Sequence, residues 1–204
     1  MQRRPAGFRI SAVRRLPDLV GMPVLLFYWY CDVADPALLV EQQHALCSQL
    51  GLTGRVRIAS EGINATLGGS VASCAEYERV LTADERFVGV DFKRSEGGSE
   101  DFEGLIVKQS KEIVTLGIAP EALSFKDGGM HLSPAEFRRQ LLEHRDGNRG
   151  GGSSSAAVVI DCRNAYESRI GCFDGALRPP TRQFSDFPAW CVCVCVCVCL
   201  SVCL

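Results

Sequence analysis

An α+β domain followed by the opening of an α/β domain is the fold this sequence predicts. Three observations carry it. Between Pro23 and Gly117, strand-like and helix-like segments follow one another in the order β-α-β-β-α-β, with a trailing strand behind them. A capped helix at Ser133 then leads through a glycine- and serine-rich loop into the short β-branched run "AAVVID", as an α/β unit would begin. Hydrophobic residues at 47% and charged residues at 23% fit a globular chain of 204 residues, long enough to bury a core.

In the first unit, "VLLFYWYC" from Val24 is a continuous apolar and aromatic run, as expected of a central strand. Phe27 and Trp29 are read as core residues, and no aromatic signature of base stacking is expected here. "ADPALLVEQQHALCSQLG" predicts a helix, with Asp35 as cap, Pro36 in the first helical position and Gly51 past the end. Leu39, Val40, Leu46, Cys47 and Leu50 fall on one face, with Gln43 the polar intrusion; His44 is expected at the surface. "GRVRIAS" alternates, placing Val56 and Ile58 inward and Arg55 and Arg57 outward. "EGINATLGG" supplies a turn, in which Asn64 can bond the local backbone, then a strand and a glycine pair; Ser70 caps a second helix to about Leu81. "FVGVDFK" and "GLIVKQSKEIVTLG" are strand-like. That order is ferredoxin-like, a topology that hosts many functions.

The second unit starts near "GGMHLSPAEFRRQLLEHRDG", where Ser133, Pro134 and Glu136 form the start signal of a helix with a capping box. "DGNRGGGSSS" reads as a flexible polar loop and "AAVVID" as a buried parallel strand. The organisation expected is a disordered lead-in at 1–20, a domain at 21–118, a partial domain at 119–190 with its loop at 146–155, and a Cys-Val tail at 191–204.

A net charge of −2 declares no nucleic-acid or membrane partner by itself. The apolar run from Leu19 to Cys31 is too short to cross a bilayer and contains Pro23. The first twenty residues carry five arginines against Asp18 alone; a mitochondrial presequence is the alternative to a lead-in, but Ser11 is the only hydroxyl residue. Outside the tail, Cys31, Cys47, Cys74, Cys162 and Cys172 form no C-x-x-C pair and have no zinc-spaced histidine, so reduced, buried thiols and no metal are expected.

The spaced set Asp161-x-Arg163, Glu167, Gly171, Phe173, Gly175 and Ala176 resembles the opening of a rhodanese-like domain, with Cys172 where a histidine is usual. Alongside it, "RIASEGINATLGGS", "KEIVTLGI" and "HLSPAEF" are similar to a family that places an acylphosphatase-like domain before a rhodanese domain. The resemblance spans about Pro23 to Trp190, broken by the glycine-rich loop. Its bacterial members hydroxylate a wobble uridine in transfer RNA. The resemblance implies sulfur transfer or transfer-RNA modification in the complete relatives and transfer RNA as a partner. It implies no cofactor, no DNA, no membrane and a cytoplasmic setting. Asp161, Arg163, Glu167, Gly171 and Gly175 are structural in this reading, the acid and the fork-shaped base bracing neighbouring loops. No acylphosphatase activity is expected, because no glycine-rich, arginine-ended loop precedes the first strand.

A rhodanese acts through a cysteine thiolate held in a nest of backbone N–H groups. The resemblance puts that loop after Trp190, where this sequence runs into Cys-Val repeats with no glycine, arginine or charge beyond Asp186. No catalytic residue is therefore assigned, and the chain is expected to be a truncated, inactive relative, poorly ordered from about Ser153. A TG-dinucleotide repeat read as codons yields the alternating tail, which holds six of the eleven cysteines, so aberrant translation is expected over a soft-metal site or a sticky strand. The alternative function is a non-catalytic module binding RNA or protein through the first domain. Its candidate contacts are Arg55 and Arg57, extended by Lys93, Arg94, Lys108 and Lys111, and the N–H groups at Gly68, Gly69 and Ser70 opening a helix. Each has a plainer reading, as solvated charges or as a strand-to-helix turn.

Overall fold

The computed structural model describes residues 23–119, 122–147 and 158–194, with backbone alone for 143–147 and 193–194. They divide between Ser110 and Lys111 into two units. In the first, β1 (Pro23–Tyr30), α1 (Pro36–Gln49), β2 (Thr53–Ala59), β3 (Gly62–Gly68), α2 (Val71–Thr82), β4 (Lys93–Glu96) and β5 (Leu105–Gln109) follow in sequence. The sheet order is β4-β1-β3-β2-β5, the ferredoxin-like arrangement with β5 added parallel to β2.

Both helices begin where their caps dictate. The Asp35 carboxylate accepts from the Leu38 N–H at 2.9 Å, and Ser70 Oγ accepts from the Ser73 N–H at 3.0 Å. Leu39, Gln43 and Cys47 of α1 and Cys74, Tyr77 and Leu81 of α2 are buried; His44 is exposed. Against them lie Leu25 and Phe27 of β1, Val56 and Ile58 of β2, and Ile63, Ala65 and Leu67 of β3, all in one apolar cluster. Gln43, out of place on an apolar face by sequence, accepts a hydrogen bond from the buried Tyr77 hydroxyl at 2.7 Å. One polar pair thus ties α1 to α2 inside the core.

β1 is interior, between β3 and β4, but only one of its faces is covered. Leu25 and Phe27 are buried and Trp29 packs against the core with its indole N–H donating to the Arg86 carbonyl at 2.7 Å. Leu26 and Tyr28 stay exposed on the other face. β1 is thus central in the sheet, as its apolar run predicts, and both helices cover the same side of it. "FVGVDFK" is largely not a strand: Phe87 closes a 3₁₀ turn capped by Asp84, and β4 starts only at Lys93. Trailing strand β5 ends at Gln109, so "EIVTLG" adds none.

The β2–β3 hairpin turns tightly, Ala59 pairing with Gly62. Gly62 has φ +144°, and a Cβ there would lie 2.0 Å from the Trp29 carbonyl oxygen, so only glycine lets β3 approach β1.

In the second unit, α3 (Pro134–Gly147), α4 (Ala165–Ile170) and α5 (Phe187–Val194) are the helices among the described residues. At the head of α3, Ser133 and Glu136 exchange the expected capping-box bonds. Of "AAVVID", the described part forms no strand: Ile160 makes an isolated parallel bridge with Leu177, the pairing it has among the described residues. In the region from Ser153, the described residues 158–194 hold α4, a 3₁₀ turn at Phe184–Asp186 and α5, joined by turns and irregular backbone. The lead-in, most of the glycine-rich loop and the tail beyond Val194 lie outside the described residues.

Replacing Tyr77 by Phe leaves the Gln43 acceptor buried without its donor, and is expected to cost about 1–2 kcal/mol in urea unfolding. Burial also holds the Tyr77 phenol well above its ordinary value and pushes the Cys47 thiol from 9.0 up to about 12. Both protons are bound more tightly folded than unfolded. Stability is therefore full below the ordinary thiol value of 9.0 and falls as pH rises toward about 12, a loss that Cys47→Ala should reduce in urea midpoints measured across that range.

Candidate nucleic-acid interface

Strand register determines which side chains share the uncovered face of the sheet. One row runs across the strands from Lys93 on β4 through Leu26 on β1, Thr66 on β3 and Arg55 on β2 to Ile106 on β5. The next runs from Tyr28 through Asn64 and Arg57 to Lys108. Tyr30 follows Tyr28 on the same side, their rings edge to face with centroids 6.0 Å apart. Arg55, Arg57, Lys93 and Lys108 are exposed, Tyr28 is 38% exposed, and Leu26 and Ile106 are 47% and 45% exposed.

No strand position on this face carries a carboxylate. Asp91, just ahead of β4, is bound to Lys93 at 2.5 Å. One terminal guanidinium nitrogen of Arg55 donates to the Gly54 and Gly104 carbonyls at 3.0 and 3.2 Å, which positions the charged head while the residue stays exposed. Partial burial, offset by Lys93 and reinforced by Asp91, holds the Tyr28 phenol above its usual value, so it stays neutral at physiological pH. The surface combines cations, an aromatic ring and the amide of Asn64, the chemistry that attracts phosphates and admits a base.

Of the cations expected to act together, Arg55, Arg57, Lys93 and Lys108 share this face. Arg94 does not. It pairs with Leu25, points to the helix side, and binds Glu78 of α2 at 2.6 Å. Lys111 belongs to the second unit. Asn64, expected to serve the turn, stands within β3 between Tyr28 and Arg57. Tyr28 and Tyr30 were legible through strand alternation: once Phe27 and Trp29 face the core, their neighbours must face away.

The corner at Gly68, Gly69 and Ser70 is packed. A Cβ on Gly68 would meet the Gly98 carbonyl at 2.2 Å, one on Gly69 would meet Leu52 at 2.4 Å, and the Gly69 N–H donates to the Pro23 carbonyl at 3.3 Å. These glycines serve close approach between segments, and Ser70 is occupied as the α2 cap.

In the second unit, Arg163 forms a fork with Asp161, donating to its two oxygens at 2.9 and 2.6 Å, and reaches the Gly171 carbonyl at 2.7 Å. This pairing lowers the Asp161 carboxyl below its ordinary range, through hydrogen bonding to Arg163 first. Glu167 accepts from the Asn164 N–H at 3.1 Å in a capping box, so it does not join Asp161 in an acid/base pair. Gly175 takes φ +79° in the return toward Leu177; Gly171 is extended. Phe173 packs edge to face on Phe137 of α3, centroids 5.1 Å apart.

Burial pushes the thiols of Cys31, Cys47, Cys74, Cys162 and Cys191 upward, away from the thiolate. Among the described residues, no three His, Cys, Asp or Glu side chains gather as a metal site, and no helix is long and apolar enough to cross a membrane.

Residues 22–113 match the family described as the UPF0176 acylphosphatase like domain. Among curated proteins, the chain is 39% identical over 175 residues to a tRNA uridine(34) hydroxylase of Corynebacterium urealyticum, covering 83% of this chain and 56% of that protein. It is 38% identical over 167 residues to the tRNA uridine(34) hydroxylase of Staphylococcus saprophyticus and 36% identical to that of Enterococcus faecalis, covering 82% of this chain and 49% of each relative. The chain thus spans about half the length of these relatives. Alignments over 167 residues outrun the 22–113 domain, so the likeness continues into the second unit. The first unit, an α+β fold with a mixed five-stranded sheet, thus matches the UPF0176 acylphosphatase-like domain, in a chain similar over most of its own length to tRNA uridine(34) hydroxylases.

Proposed function

We propose that this chain binds transfer RNA through the open face of its first sheet and performs no sulfur chemistry itself. One observation carries the reading: Arg55, Arg57, Lys93 and Lys108 share a sheet face whose strand positions hold no carboxylate, in a chain whose relatives are named for modifying a transfer-RNA uridine. Phosphate contacts of this kind supply affinity without sequence preference and weaken as salt rises. We read the second unit as the opening of a rhodanese-like domain. The Asp161–Arg163 fork, its reach to Gly171 and the turn at Gly175 support that, as does the continuation of the alignments past residue 113. The reading of catalytic silence is supported by the half-buried thiols of Cys162 and Cys191, which desolvation holds away from ionisation, where a persulfide-carrying cysteine needs the opposite; Cys172, expected to be buried, is exposed.

Fluorescence anisotropy of the purified 204-residue chain with labelled transfer RNA tests the binding. Affinity should fall as salt rises. Arg55→Ala with Arg57→Ala should weaken it and lower the log–log salt slope by about 2, one for each phosphate contact removed. Binding indifferent to salt and to both arginines would overturn the reading and favour a protein partner on this face. With thiosulfate and cyanide as substrates the same chain should show no turnover above a protein-free blank; sustained turnover contradicts the silence.

A further inference from the structure

We infer that the open face of the first sheet takes unpaired RNA nucleotides, with a base stacked on Tyr28 and the adjoining phosphates held by Arg57 and Lys108. The inference rests on the RNA-binding reading above and adds which form of RNA the face selects, and how.

Tyr28 lies on β1 just past the end of its pairing with β4, beside Asn64 of β3, and is 38% exposed; Tyr30 meets it edge to face. That contact fixes the two rings at a steep angle to each other. Across the sheet from Tyr28 the register runs Asn64, Arg57, Lys108, so an aromatic plane, an amide and two cations stand in one line over four adjacent strands. Neighbouring strands lie about 4.8 Å apart, which puts Arg57 roughly 10 Å from Tyr28, the reach of a nucleotide from its base to a neighbouring phosphate. Asn64 stands between ring and guanidinium in the strand register. The neutral phenol adds no charge to repel phosphate.

A duplex cannot use this arrangement. Bases inside an A-form helix are stacked on one another and are closed to an outside ring, whereas splayed bases of a loop or a single strand stack freely on an aromatic platform. A protein partner fits the face less well, because the exposed Leu26 and Ile106 lie in a row that also carries Lys93 and Arg55. Four cations without a carboxylate on the strands favour a polyanion.

The experiment uses the full chain with three probes: a short oligouridylate, a blunt RNA duplex and a transfer RNA. The oligouridylate should bind and the duplex should compete poorly. Tyr28→Ala should weaken oligouridylate binding about tenfold, and Tyr28→Phe, which keeps the ring, should restore it. Thermal melts followed by circular dichroism check that the variants fold, and Tyr28→Phe serves as the reporter should Tyr28→Ala not fold. Equal binding of duplex and single strand, or a folded Tyr28→Ala chain that binds like the parent, overturns the inference. Transfer-RNA binding that needs Arg55 and Arg57 but ignores Tyr28 sinks the stacking site and leaves the RNA-binding reading standing. Tyr28-dependent oligouridylate binding without transfer-RNA binding supports the site and removes that reading; neither probe binding removes both.

Discussion

Everything in the first unit follows from sealing one side of a five-stranded sheet and leaving the other bare. α1 and α2 share a single apolar cluster with the inward residues of β1, β2 and β3. Because side chains alternate along a strand, that one decision assigns every neighbour to the opposite side. Val56 and Ile58 inward put Arg55 and Arg57 outward; Leu25 and Phe27 inward put Leu26 and Tyr28 outward. A register slip by one residue on β1 would exchange these sets, exposing Phe27 and burying Tyr28 against helices that offer its hydroxyl no partner. The same packing that stabilises the core therefore fixes the composition of the outer face.

Tight approaches hold the register. Gly62 lets β3 close on the Trp29 carbonyl, and Gly68 and Gly69 let the end of β3 pass beneath the Gly98 carbonyl and Leu52. Across the core the Tyr77–Gln43 bond fixes the two helices to each other, and Arg94–Glu78 joins β4 to α2 from the sheet's covered side. The second unit is built differently. It combines local devices, the Ser133–Glu136 and Asn164–Glu167 caps and the Asp161–Arg163 fork, with a few longer-range contacts such as the isolated Ile160–Leu177 bridge and the Phe137–Phe173 pair.

Much of this was legible in the sequence where the signal is local. Asp35, Ser70 and Ser133 are followed by helices because a cap needs only its own next turn, and the Arg-Val-Arg-Ile alternation states its own faces. What was misread or left open has a common origin: it needed a partner the sequence does not name. An apolar run such as β1 looks the same whether one or both faces are covered, since leucine and tyrosine suit either. β4, all four residues exposed, has no apolar pattern to announce it, while Phe87, Val90 and Phe92 ahead of it reach the core from a turn and irregular backbone. Arg94 and Lys93 are neighbours in sequence and opposites in space, so composition grouped what the pleat separates. Of the site, the arginines could be read directly and Tyr28 through alternation once Phe27 is placed in the core, whereas its alignment with Asn64 and Arg57 became visible only through the strand pairing.

The central claim is that a bare sheet face, with Tyr28 at the head of one of its rows, is the surface that meets RNA. Hydroxyl-radical footprinting of the whole chain, read by mass spectrometry with and without transfer RNA, tests it most directly. The account predicts oxidation of Tyr28, Leu26 and Ile106 in the free chain, little at Tyr77 and Phe27, and protection of Tyr28 when transfer RNA is added. A Tyr28 that resists oxidation in the free chain, or is oxidised equally with RNA bound, would contradict it.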